Sequence, residues 1–218
     1  FHQYLWNRML FDPNRELHDL MLEYCTLYFG EEAAPVMVEA LLQLEVNLEA
    51  PLAENEGIAR YHALIKEAGE NIPAWRMDRD YRWHLHMQKA VLDQYVQQKL
   101  RVENGREKQA EALIATARLE SEKAEALGKA IALLQEPLEN KAMAALREEA
   151  GRLGEITDAR HGDRIPGYFR LEQSLRDLPG LIALLEEARK TSGTEASQHL
   201  DAALEKIAGP TKPGRIFW

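Results

Sequence analysis

The side chains best placed by type and spacing to do chemistry are the two histidines of the run Trp83-His84-Leu85-His86-Met87. A zinc site on a helix needs imidazoles at i and i+4, or a thiolate beside them. His84 and His86 are two positions apart, so a helix turns them about 200° from one another and a single metal cannot take both. The spacing therefore points to structure, with Trp83 and Leu85 partly buried and both histidines at a helix–helix edge. Neighbouring acids recur at Glu31/Glu32, Asp78/Asp80, Glu148/Glu149 and Glu186/Glu187. Hydrolases that work with two carboxylates hold them facing across a cleft, whereas side-by-side acids on a helix make a solvated face. Cys25 lies beside an apolar stripe and reads as a small buried thiol, because a nucleophile wants a nearby base and an electropositive setting. His161 and Asp163 fall in the breaker-rich run HGDRIPG at 161–167, which reads as a polar loop rather than a ligand site. There is no Gly-rich phosphate loop or dinucleotide fingerprint. Gly128, Gly151 and Gly154 stand singly in helical stretches, where they are expected to allow close helix contact. Phe1, Trp6, Trp75, Trp83 and Trp218 could stack on sugar rings but are read first as core and interface anchors. No residue is assigned a catalytic, cofactor-binding or metal-ligating role, and no cofactor is expected.

The elements that hold these residues are helical throughout. Residues 2–11 suit a short helix. Asp12-Pro13 suggests a helix start, with Asp12 as the cap and Pro13 at the first position. Leu17, Leu20, Met21, Tyr24 and Tyr28 then form one stripe, and Gly30 is expected as a left-handed stop. Glu31, Glu32 and Pro35 open the next helix, whose stripe is Met37, Ala40, Leu41, Leu44 and Leu48. A break at 51–57 precedes a helix over about 58–68, with 69–73 as a loop. Asp78 or Asp80 is expected to cap a helix running to about Val102. Asn104-Gly105 marks a turn or irregularity. Beyond it, Ala110, Leu113, Ala117, Ala124, Leu127, Ile131 and Leu134 keep a 3-4 spacing that predicts one long helix with a coiled-coil-like seam. Pro137 interrupts it, residues 138–160 are helical again, and Tyr168–Leu175 forms a short helix. Helices follow from Pro179 and over 195–208, separated by a turn at 191–194. No alternating β-branched or aromatic run predicts a strand. The fold class expected is all-α: a multi-helix bundle of antiparallel hairpins with one or two long helices. Residues 1–208 are expected as a single helical domain, and 209–218 as a tail or linker.

The 218 residues suffice for a sizeable core. Asp and Glu outnumber Lys and Arg by 36 to 27, a formal net charge of −9. That balance argues against nucleic acid or an anionic membrane as partner, since both attract a basic face. No run of about 18–20 apolar residues exists that would span a membrane. The chain begins at Phe1, inside an expected helix, which suggests a piece of a longer polypeptide whose compartment stays open.

Between Tyr4 and Pro35 the order of residues is Tyr4, Arg8, Met9-Leu10, Phe11, Asp12-Pro13, Tyr24, Tyr28, Phe29-Gly30 and Ala33-Ala34-Pro35. This stretch resembles the segment that follows the catalytic barrel in bacterial glycoside-hydrolase-like proteins, namely the α-glucuronidase-like set and those carrying a DUF4838-type region. The resemblance covers residues 4–35. It implies an accessory helical domain of a carbohydrate-active bacterial protein, with residues 1–11 as the junction to an upstream catalytic domain of the same chain. The catalytic acids of such proteins lie in the barrel, so no catalytic residue is carried over and the region itself is expected to be inactive. Glycan contact and homo-oligomerisation are compatible with that role. The competing expectations are a free-standing helical interaction or oligomerisation module that uses the 110–134 seam and, third, an enzyme with a site between its own helices.

Overall fold

The computed structural model describes residues 1–119, 121–137, 140–161 and 177–209. The loop expected at 162–167, the short helix at Tyr168–Leu175 and the tail beyond 209 lie outside the described residues. Among those described, the protein is all-α, as its periodicity predicts, with ten α-helices, two 3-10 turns and no strand. The helices are α1 (His2–Phe11), α2 (Leu17–Phe29), α3 (Ala34–Val46), α4 (Gly57–Asn71), α5 (Ala74–Met77), α6 (Tyr81–Thr116), α7 (Lys123–Gln135), α8 (Lys141–His161), α9 (Leu178–Lys190) and α10 (Gly193–Ala208). They gather into two compact units. The first takes α1–α5, α6 as far as Gln98, and α8; the second takes α6 from Lys99, with α7, α9 and α10.

In the first unit, α2 and α3 form the hairpin expected from their short connection, and α3 packs on α4. The core holds Leu20, Met21, Tyr24, Cys25 and Phe29 of α2, Met37, Val38 and Leu41 of α3, and Tyr61 and Ile65 of α4. Leu17 and Leu48 leave the expected stripes and are 49% and 53% exposed. The break between α2 and α3 is set by Gly30, whose φ of 102° and ψ of 161° lie outside the left-handed helical well expected for it. That region is open essentially to glycine alone.

The expected start of α2 at Asp12-Pro13 is displaced to Leu17. Asp12 instead closes α1, and its carboxylate accepts from the Asn14 N–H at 3.2 Å. Arg15, in the intervening turn, pairs with Glu23 at 2.7 Å. The cap on α6 is Asp80, which accepts from the Arg82 and Trp83 N–H groups at 2.7 and 3.2 Å. Asp80→Ala should therefore cost about 0.5–2 kcal/mol. Asp12→Ala, on an exposed turn, should stay within about 0.5 kcal/mol. Paired urea titrations followed by circular dichroism check both, and equal costs would contradict this assignment.

The long helix does not stop near Val102 but carries Asn104-Gly105 through its interior to Thr116. The 110–134 seam is not one helix either. It breaks after Thr116, with turns at 117–119 and 121–122 and Leu119 59% exposed, and resumes as α7. Of the expected seam, Ala110, Ala117, Leu127, Ile131 and Leu134 are buried with Leu181, Leu185, Leu200 and Ile207 in the second unit's own core, whereas Leu113 is half-buried and Ala124 is exposed. A single interior helix with a free seam is thus replaced by intramolecular packing. Arg106 donates to the Glu136 and Pro137 carbonyls, each at 2.6 Å, satisfying the end of α7. Asp177 caps α9 through the Gly180 N–H.

Candidate functional site

The groups able to do acid–base chemistry in the first unit converge where α2, α4 and α6 meet. The Tyr61 hydroxyl and His86 Nδ1 share a hydrogen bond of 2.9 Å. Phe29 presents its ring edge-on to His86, with centroids 6.0 Å apart. Tyr61 is fully buried, and burial raises its pKa far above that of a free phenol. Burial pushes the His86 imidazole down to about 4, so it stands neutral at physiological pH. One turn along α6, Lys89 pairs with the buried Asp93, whose carboxyl burial pushes upward. His84 is also buried, at 5% exposure, on another side of α6 from His86. The two histidines thus diverge as their spacing requires. Among the described residues no three His, Cys, Asp or Glu side chains gather closely enough to hold a metal ion.

Cys25 is fully buried, and burial pushes its thiol up to about 12. It is a core atom held in its unreactive form. The acid pairs separate by role. Asp80 is a cap, while Asp78 receives both terminal nitrogens of Arg160 from α8, at 3.0 and 2.5 Å. Glu31, Glu32, Glu148, Glu186 and Glu187 are exposed. His161 ends α8, while Asp163 lies outside the described residues. A small recess in the second unit, lined by Glu103, Arg106, Glu107, Leu134 and Leu178, has room for about one water molecule.

Two polar assemblies escape a reading of the sequence. The Glu23 carboxylate accepts from the Tyr4 hydroxyl, from Arg8 and from Arg15, and these three hydrogen bonds pull its pKa down to about 2. They pin α1 to α2. The second assembly ties the 47–57 connection to α6. Gln97 Nε2 donates to the Leu52 and Asn55 carbonyls at 2.7 and 2.6 Å. Asn55 donates to the Asn47 carbonyl and accepts from the Gly57 N–H, and Gln43 donates to Asn47 Oδ1. Both assemblies join residues far apart in sequence, so no local spacing reveals them.

Glycines work at different places from those expected. Nothing approaches the position a Cβ would take at Gly128 or Gly151, and at Gly154 the nearest atom is Gln88 Nε2 at an ordinary 3.5 Å. These glycines do not mediate close helix contact. Close approach occurs at Gly69, where a Cβ would meet the Trp83 ring at 3.0 Å, and at Gly57, 2.0 Å from Asn47 Oδ1 and 2.4 Å from Gln43 Nε2. Gly57→Ala must displace that buried amide network and should cost about 1–3 kcal/mol, the range of overpacking. Thermal unfolding measures it; an unchanged melting temperature would contradict the network's rigidity.

The aromatic anchors divide in the same way. Trp83 is buried at 5% as a core anchor, whereas Trp6 and Trp75 are 69% and 64% exposed, outside the core. Trp6 belongs to a larger feature. On α1 the inner side buries Leu5 and packs Phe1 and Tyr4 against α2, with the Tyr4 and Tyr24 rings 5.3 Å apart. Elsewhere around the same helix Trp6, Met9, Leu10 and Phe11 stand 69%, 40%, 73% and 91% exposed. A helix apolar on both sides is ordinarily a buried helix. The interior polar groups tie helices together, whereas the outer side of α1 is open.

Compared with protein-family models, curated proteins and solved structures, the chain matches none of them. No helix among the described residues is long and apolar enough to cross a membrane.

Proposed function

We propose that this chain is a non-catalytic helical accessory domain that packs through α1 against a neighbouring catalytic domain, in the manner of the helical region behind the barrel of glycoside-hydrolase-like proteins. The observation that carries the reading is the outer side of α1. Trp6, Met9 and Leu10 share that side at 69%, 40% and 73% exposure, and Phe11, farther round the helix, is 91% exposed. Grouped exposed apolar side chains of this kind support an interaction surface. The stretch of family resemblance, residues 4–35, is the one that forms α1, α2 and the entry to α3. The Glu23 cluster gives α1 a fixed attitude on the unit, so its outer side is presented as a rigid surface. The burial of Tyr61 and Cys25 fits a domain that supports chemistry performed elsewhere.

Incubating the purified chain with aryl-glycosides and oligosaccharides tests the non-catalytic part. No turnover above buffer is expected, and robust turnover lost on heat denaturation would overturn it.

A further inference from the structure

We infer that the outer side of α3 is a second docking surface, built to receive a basic amphipathic helix of a partner protein. It is independent of the role proposed for α1. The inner side of α3 is consumed by the core through Met37, Val38, Leu41 and Leu44. Away from the core side Leu42 and Val46, one turn apart, are 44% and 57% exposed. Side chains three and four apart are neighbours on a helix. Glu39 and Glu45 therefore flank Leu42, and Glu49 flanks Val46. Every charged side chain between residues 31 and 59 is a glutamate. The one ion pair recorded there, His2 to Glu45 at 3.1 Å, exists only when that imidazole is protonated.

An apolar strip edged on both sides by carboxylates selects its occupant by charge. A second copy would set glutamate against glutamate on a chain of net charge −9, and like charges across an interface cost several kcal/mol. Nucleic acid and anionic lipid are repelled for the same reason. A helix with an apolar stripe edged by Lys or Arg meets both requirements at once: apolar burial gives affinity, and the charged edges set register and speed encounter.

Two synthetic peptides of about 18 residues, long enough to fold as helices on contact, serve as probes. They share one leucine stripe, edged by lysine in one and by glutamate in the other. Titration calorimetry at low and high salt measures binding, and a spin label on the peptide maps its footprint on the unsubstituted chain by NMR. The lysine-edged peptide should bind with its footprint on α3, and should weaken with salt. Leu42→Ser with Val46→Ser, and separately Glu39→Lys with Glu45→Lys and Glu49→Lys, should each reduce affinity by about tenfold or more. A control with the same charge change in the second unit, Glu111→Lys with Glu186→Lys and Glu205→Lys, should retain binding. Equal loss in the control would reduce the effect to net charge and overturn the proposal. Equal binding of the glutamate-edged peptide, a footprint away from α3, or no binding at all would overturn it too. The footprint needs no variant, so it decides the matter even if a substituted chain fails to fold.

Discussion

Phe29→Ala is expected to destabilise the first unit by roughly 3–5 kcal/mol. Phe29 is the last residue of α2 and has no exposed surface. Its ring meets Tyr24 at 6.3 Å and His86 at 6.0 Å, both edge-on. Removing it opens a cavity in the core it shares with Tyr24 and the half-buried His86. The same cavity would loosen the setting of the Tyr61–His86 hydrogen bond. Domains are stable by only about 5–15 kcal/mol, so the substitution removes a large part of the total. Urea titration should show a lower midpoint at unchanged slope. A loss below about 1 kcal/mol would mean that Phe29 is not a core residue.

Acid is expected to weaken the fold in two separate windows. His86 takes its proton near 6.5 when unfolded and at about 4 when folded. Between those values the unfolded chain binds more protons than the native one, so stability falls as pH drops. The full effect is on the order of 3 kcal/mol. His62, also lowered by burial first and by Lys66 next, acts in the same direction. Asp93 acts oppositely, because its raised pKa favours the protonated native state. Glu23 opens the second window: its stability contribution is present above 4.5 and is lost as pH falls through about 2. His86→Gln keeps a hydrogen-bonding partner for Tyr61 but does not titrate. In that variant the loss between pH 6.5 and 4 should shrink while the lower window stays. Chemical denaturation at a series of pH values measures this, and an unaltered upper window would show that His86 is not the group responsible.

Local signals in the sequence carried the helices well where one residue decides the outcome. Asp80, Pro137, Pro179 and the Gly209 stop each act within a single turn of chain. Signals failed where distant packing outweighs a local preference. Asn104-Gly105 resembles a turn, and a helical glycine costs about 1 kcal/mol, yet burial of Ala110 and Ile114 just beyond it keeps α6 continuous. Asp12 has a capping side chain, but it serves a turn through the Asn14 N–H, and α2 starts only at Leu17. The 110–134 spacing is true to a helix period and silent about the turn that folds it back. The polar interior was legible only in part. The divergence of His84 and His86 follows from helix geometry, whereas the pairing of His86 with Tyr61 spans 25 residues and needs the fold. The exposure of α1 was the least legible feature, because an apolar residue in sequence looks the same whether it meets the core or a partner.

The most direct test of that partner uses a single engineered thiol. Cys25 is fully buried, with its thiol pushed up to about 12, and stays silent towards maleimide. Leu10→Cys places a reactive thiol on the outer side of α1, and Lys66→Cys on exposed α4 serves as control. In the isolated chain both should label at the rate of an open thiol. In the complete encoded polypeptide, labelling at position 10 should slow by at least about tenfold, corresponding to about 1.4 kcal/mol or more of docking, while position 66 keeps its rate. Equal rates at position 10 in the two settings would contradict the packing of α1 against a neighbouring domain.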